Sequence, residues 1–147
     1  MSEVSESSKE CLICRGSFDS RFVVHKDQSW TIRHSEETDI AGYFIIQSNR
    51  HILDLGSADE TETITYGPLL KKLMSAIREI SDCRRIYTFS LAEMVPHYHL
   101  HVIPRSDSFP KEYIGRGITS YPTNPGLDEA SIIEQCRKTK EILNRKD

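Results

Sequence analysis

The sequence predicts an α+β fold: a mostly antiparallel sheet of about five strands, with one long helix and a C-terminal helix. Two observations predict it. Five short runs are rich in β-branched and aromatic residues and bounded by turn formers, and two longer stretches carry helical spacing behind a capping residue. A chain of 147 residues suffices for one hydrophobic core and is short for two. It therefore reads as a single domain over residues 11–147, preceded by a frayed, disordered Ser/Glu-rich segment at 1–10.

The elements follow in order. Residues 21–26 (RFVVHK) and 29–34 (SWTIRH) are separated by the turn-forming Asp27-Gln28 pair, which makes a hairpin the simplest account. Residues 42–47 (GYFIIQ) form a more buried strand, 85–91 (RIYTFSL) a fourth, and 98–104 (YHLHVIP) a fifth that Pro104 closes. Between the third and fourth, Ser57 followed by Glu60 predicts a capping box. Tyr66, Leu70, Leu73, Ile77 and Ile80 then recur at helical spacing, flanked by Leu69 and Met74. Gly67-Pro68 interrupts this stripe, so the helix either kinks there or starts at Pro68. Residues 106–127 read as a long Gly/Pro/Ser/Tyr-rich loop, after which Asp128 caps a helix running to about Asn144.

With 19 basic against 22 acidic residues, the net charge of -3 offers no broad positive surface, and nucleic acid is not indicated as a partner. Met1 to Glu10 is polar and acidic, without the apolar core of an export signal. No segment approaches the ~18 apolar residues that cross a bilayer. A cytoplasmic protein with no membrane partner is expected, its four cysteines reduced. Cys83 and Cys136 are isolated from other candidate ligands and read as core residues, whereas Cys11 and Cys14 form a CxxC.

The informative segment is His97-Tyr98-His99-Leu100-His101-Val102-Ile103. Alternation along a strand puts His97, His99 and His101 on one face and Tyr98, Leu100 and Val102 on the other. Half of the chain's six histidines thus share one face of a short stretch. A solvated polar face needs no imidazoles, so a chemical site is the stronger reading; zinc on the same face is the alternative.

The pattern His-φ-His-φ-His-φ-φ resembles the signature of the histidine-triad (HIT) superfamily of nucleotide hydrolases and transferases. GYFIIQSNRHILDL also resembles that family's upstream strand-then-histidine stretch, and about two-thirds of the chain, Cys11 to Arg105, is covered. Pro96 before the triad and Pro104-Arg105 after it are most similar to bacterial diadenosine tetraphosphate hydrolase-like members. The resemblance implies a HIT-like fold, a homodimer, and His99 as nucleophile on the α-phosphorus of a nucleotide-containing substrate. Phosphoramidates, dinucleoside polyphosphates and related nucleotidyl conjugates all qualify, with release of a mononucleotide. His97 and His101 would hold the tautomer, donate to phosphoryl oxygens or protonate the leaving group. Cys11, Cys14, His51 and His97 resemble the zinc ligands of those members, and of the related galactose-1-phosphate uridylyltransferases, that carry an N-terminal CxxC. Two thiolates and two imidazoles would close a structural site. A His97 that holds metal leaves the acid role to His101, water or the leaving group.

The sequence also departs from the pattern. Where the adenosine phosphoramidase branch has a phosphate-binding serine three residues before the triad, this chain has Met94, preceded by Glu93. Ser35, with Glu36 and Glu37 beside it, stands where the family's ribose-binding acid follows the second strand, and Ser90 is a candidate hydroxyl near the phosphate. Two rival readings stay open: a nucleotide-binding regulatory protein with little turnover, and a metallohydrolase with catalytic zinc on the triad.

Overall fold

The structure is a computed structural model that describes residues 8–123 and 126–145; most of the expected disordered segment, residues 1–7, lies outside the described residues. Five strands form one antiparallel sheet in the order β1-β2-β3-β5-β4. They are β1 (Val23–Lys26), β2 (Trp30–His34), β3 (Phe44–Ser48), β4 (Arg85–Phe89) and β5 (His99–Arg105). The predicted hairpin is β1–β2, and Asp27 closes its turn by accepting the backbone N–H groups of Ser29 and Trp30 at 2.7 and 2.8 Å. Strand bounds shift by at most two residues from those read in the sequence, and a short 3₁₀ turn at Ser20–Phe22 replaces the start of the first run.

Helix α1 (Glu60–Ile80) and helix α2 (Glu129–Leu143) both pack on one face of the sheet. Trp30, Ile32, Phe44, Ile46, Tyr98 and Val102 meet Leu69, Leu73 and Ile77 of α1 and Ile132 and Cys136 of α2 there. Cys136 is a core residue, and Cys83 packs against the same cluster. Asp128 caps α2 as expected, accepting from the Ser131 N–H at 2.7 Å.

Two features of α1 correct the sequence reading. Its capping box is Asp59 with Glu62, each side chain accepting the other's backbone N–H at 2.8 Å, whereas Ser57 ends a preceding 3₁₀ turn. Asp59 wins because the same spacing recurs two residues later with a carboxylate, the better acceptor at the positive end of the helix dipole. The helix also runs unbroken through Pro68. Pro68 and Ile64 are exposed, so water can serve the Ile64 carbonyl that the missing N–H leaves.

The 106–127 stretch is not a bare loop. It contains 3₁₀ turns at Lys111–Tyr113 and Gly115–Ser120 and lays Ile118, Phe109 and Tyr121 against Ile40, Ile103, Tyr43 and Phe89 on the sheet face opposite the helices. That face is therefore only partly covered, and the uncovered part carries His99 and His101.

Candidate functional site

On β5, Leu100 and Val102 enter the helix-side core, so His99 and His101 project to the other face. Antiparallel register sets their neighbours. Gln47 lies opposite His99, Ile45 and Phe89 flank His101, and Arg33 stands beyond Ile45. A cation, an aliphatic side chain, an imidazole and a phenyl ring thus lie abreast across four strands.

The hydrogen bonds assign the protons. His99 Nδ1 lies 2.7 Å from the His97 carbonyl, which can only accept, so the proton is on Nδ1 and Nε2 keeps its lone pair. Burial holds the His99 pKa below the ordinary imidazole value, opposed by that hydrogen bond and helped by the Arg33 charge. His101 Nδ1 meets Tyr43 Oη at 2.6 Å and its ring stacks on Phe89 at 4.6 Å. Burial, then the neighbouring His99 and Arg33, push His101 down to about 3. Burial raises the Tyr43 phenol, so both groups are neutral near pH 7. The phenol is the better donor and the imidazole nitrogen the better acceptor. Tyr43 therefore donates to Nδ1, and the remaining proton of His101 sits on Nε2.

Two cavities meet at these rings. One, of about 230 Å³, is lined by Phe18, Arg33, Ser35, Glu36 and Ile45; the other, of about 660 Å³, by Phe89, Leu91, Ile103, Ile118 and Tyr121. His99, His101, Tyr43 and Glu37 belong to both. Arg33 is fixed rather than loose: its Nε donates to Gln47 Oε1 at 2.8 Å and its guanidinium lies 5.2 Å from the Phe18 ring centroid.

Of the sequence-derived candidates, His99, His101 and Ser35 come together. Ser90 lies elsewhere, in a cavity with Leu53, Asp54 and Pro96. Glu93 lines both that cavity and the larger triad cavity, while Met94 is 86% exposed at the rim of the latter. The sequence reading missed Arg33, Tyr43 and Gln47. Each occupies the outward alternation position of its strand or the residue before it, a signal that gains meaning only once strand order is known.

His97 faces a different set of atoms. Its Nε2 lies 2.7 Å from the Ser48 carbonyl, so that nitrogen carries the proton and Nδ1 carries the lone pair. Nδ1 lies 3.4 Å from the sulfurs of Cys11 and Cys14 and 3.2 Å from His51 Nδ1, and the Cys14 sulfur is 3.3 Å from His51 Nδ1. All four donor atoms lie within 4.8 Å of one another. A tetrahedral ion with metal–sulfur bonds of ~2.3 Å and metal–nitrogen bonds of ~2.0–2.1 Å separates its ligands by roughly 3.3–3.8 Å, close to the 3.2–3.4 Å between the donor pairs above, so two sulfurs and two imidazoles suit zinc here. Partial burial, and then the Cys11 sulfur, push the Cys14 thiol up to about 11, which a cation between the sulfurs would reverse.

Local structure presents each donor. The turn after Cys11 returns the Cys14 N–H to the Cys11 sulfur at 3.4 Å. His51 is held between Arg50, paired with the buried Glu62 at 2.8 and 3.2 Å, and Ile52, whose carbonyl accepts the Tyr98 N–H at 2.6 Å. His97 has both ring nitrogens engaged and lines neither triad cavity.

A family model for the HIT domain matches residues 15–108. The chain belongs to the HIT domain family. Among curated proteins none matches it. This HIT protein is similar in fold to a histidine triad nucleotide-binding protein of Sulfolobus tokodaii, at 14% identity over 90% of this chain and 89% of that one, with a TM-score of 0.68. A histidine triad protein of Sinorhizobium meliloti matches at 14% identity over 84% and 94%, with a TM-score of 0.69. A Zn-bound histidine triad family protein of Mycobacterium smegmatis matches at 19% identity over 93% and 95%, with a TM-score of 0.64. The α+β class and the family resemblance read from the sequence are both borne out. No helix among the described residues is long and apolar enough to cross a membrane.

Proposed function

We propose that this HIT protein is a nucleotidyl hydrolase or transferase that works through a covalent nucleotidyl-His99. One observation carries the reading: the His99 Nδ1–H is given to the His97 carbonyl, which leaves Nε2 as a lone pair on a ring lining both cavities. In the first step Nε2 forms a bond to the α-phosphorus. The bond to the leaving atom breaks, and that atom departs with its electron pair and takes a proton. His101 carries a donor on Nε2 for a phosphoryl oxygen or the leaving atom, and Arg33 supplies positive charge where negative charge grows. In the second step water adds to phosphorus, loses a proton, and the P–N bond breaks to return His99 and a mononucleotide. Ser35, with Glu36 and Glu37, lines the smaller cavity and would accept from sugar hydroxyls there. Because burial lowers the His99 pKa, the nucleophile stays unprotonated through neutral pH, and the acid limb of the rate profile falls below the ordinary imidazole value.

Cys11, Cys14, His51 and His97 would bind a structural zinc ion, which ties the N-terminal turn to the entry of β5. The Zn-bound relative supports this, as does the His97 tautomer. It leaves His97 as a positioning residue, acting on His99 through its carbonyl. The reading includes a cytoplasmic homodimer.

The test is to incubate the protein with a nucleoside phosphoramidate and a dinucleoside polyphosphate, quench in alkali, and weigh the intact chain. A nucleotidyl adduct that vanishes in His99→Ala is expected. No adduct and no turnover, with nucleotide binding intact, would instead favour the regulatory binding protein.

A further inference from the structure

The two cavities that meet at His99 and His101 differ in chemistry, and the difference selects among substrates. The smaller holds Arg33, Ser35 and Glu36, groups suited to the charge and hydroxyls that every nucleotide retains. The larger is lined mainly by Phe89, Leu91, Ile103, Ile118 and Tyr121, and among the described residues no lysine or arginine lines it. Among the described residues its acidic or basic side chains are Glu37 and Glu93, both acidic, apart from the two imidazoles, of which His101 is held neutral. Its rim is apolar as well. Leu12, Leu91 and Met94 are 49%, 62% and 86% exposed, and all three line this cavity. Single exposed apolar residues are ordinary, but three around the mouth of one cavity, beside a reactive imidazole, mark a surface that a ligand covers.

Resting on the nucleotidyl-transfer reading above, we propose that the cavity roofed by Ile118 and Tyr121 is the leaving-group subsite, and that it takes an uncharged apolar, aromatic or aliphatic, group. The substrate class is then a nucleoside phosphoramidate or ester of such a group, not a dinucleoside polyphosphate. A polyphosphate leaving group would bring several negative charges to two carboxylates with no cation to meet them, a repulsive and poorly solvated placement. An apolar amine or alcohol gains burial against Phe89, Ile103 and Ile118 instead. The balance of the step is unchanged. Phosphorus exchanges its bond to the leaving nitrogen or oxygen for one to His99 Nε2, and the departing atom takes a proton and leaves as the neutral amine or alcohol.

The test compares two substrates sharing one nucleoside monophosphate: its phenylethyl phosphoramidate and the dinucleoside tetraphosphate. The expected kcat/KM favours the phenylethyl compound by at least about tenfold. Leu91→Lys, an exposed position whose change spares the core, should cut that ratio about tenfold by placing a cation at the rim. A preference for the tetraphosphate, or a ratio untouched by Leu91→Lys, would overturn the assignment and put the base of the retained nucleotide in the apolar cavity. A catalytically silent protein would sink the nucleotidyl-transfer reading, yet the subsite would still be read by binding. His99→Asn is expected to bind the phenylethyl phosphoramidate about tenfold tighter than the mononucleotide, and equal affinities would overturn the subsite alone.

Discussion

His97 and His99 are the same residue two positions apart, yet the fold uses them in opposite ways. Each gives one ring N–H to a backbone carbonyl. His97 spends Nε2 on Ser48 and turns the Nδ1 lone pair to two sulfurs and a second imidazole. His99 spends Nδ1 on His97 and keeps Nε2 for a cavity. The difference lies in which carbonyl each ring meets. His97 precedes β5 and sits over the end of β3, whereas His99 lies inside β5 with its ring bent back along its own chain. Tautomer, and with it chemistry, is set by backbone geometry outside the ring.

The comparison breaks or stands on paired substitutions. His99→Ala is expected to lower turnover by at least about a thousandfold in a nucleotidyl-transfer assay, with an unchanged melting temperature. His97→Ala should do the reverse first, losing bound metal and stability before its rate is meaningful; a His97→Ala protein that melts normally would erase the contrast. Next in size, Cys11→Ser or exhaustive chelation should release about one zinc per chain by elemental analysis and lower Tm by roughly 10 °C or more.

A third prediction uses acid. His34 is fully buried, its Nδ1–H donating to the Ser35 carbonyl at 2.8 Å and its Nε2 accepting the Gly42 N–H at 3.0 Å. Gly42, at φ +86, takes the left-handed turn that aims this N–H. Burial, opposed by the hydrogen bond to Ser35, pushes His34 down to about 4. The unfolded chain then binds the proton more tightly than the folded one. Stability is full above the unfolded value near 6.5 and falls as pH drops toward 4, with His101 contributing in the same direction to about 3. Urea midpoints between pH 7 and 4 should show a loss of several kcal/mol, and a flat profile would mean these rings are hydrated. Smallest, Tyr43→Phe removes the hydrogen bond to His101 and should lower kcat about fivefold, with Tm nearly unchanged.

Much of this was legible in the sequence. Alternation alone separated His99 and His101 from Leu100 and Val102, because strand period does not depend on partners. The zinc set came from resemblance, since nothing in spacing tells that Cys11 and His97, 86 residues apart, meet. Arg33 and Tyr43 were invisible for the same reason: a strand arginine reads as a solvated face until β3 and β5 are known to lie beside β2. Ser90 reads as a candidate hydroxyl near the phosphate, but it follows β4 and lines a cavity apart from the two at the triad. At α1, two overlapping S/D-x-x-E spacings competed, and only geometry shows that Asp59 closes the box.

Glu62 takes part in three contacts at once: its carboxylate closes the capping box on Asp59 and grips Arg50, and its carbonyl accepts the Trp30 indole N–H at 3.1 Å. Arg50 is the residue before His51. The first turn of a 21-residue helix and a candidate metal ligand are thereby joined through one bidentate ion pair. Reciprocity then requires that whatever orders the ligand also resists fraying of the helix, and that loosening the helix at its start would weaken metal binding at that ligand.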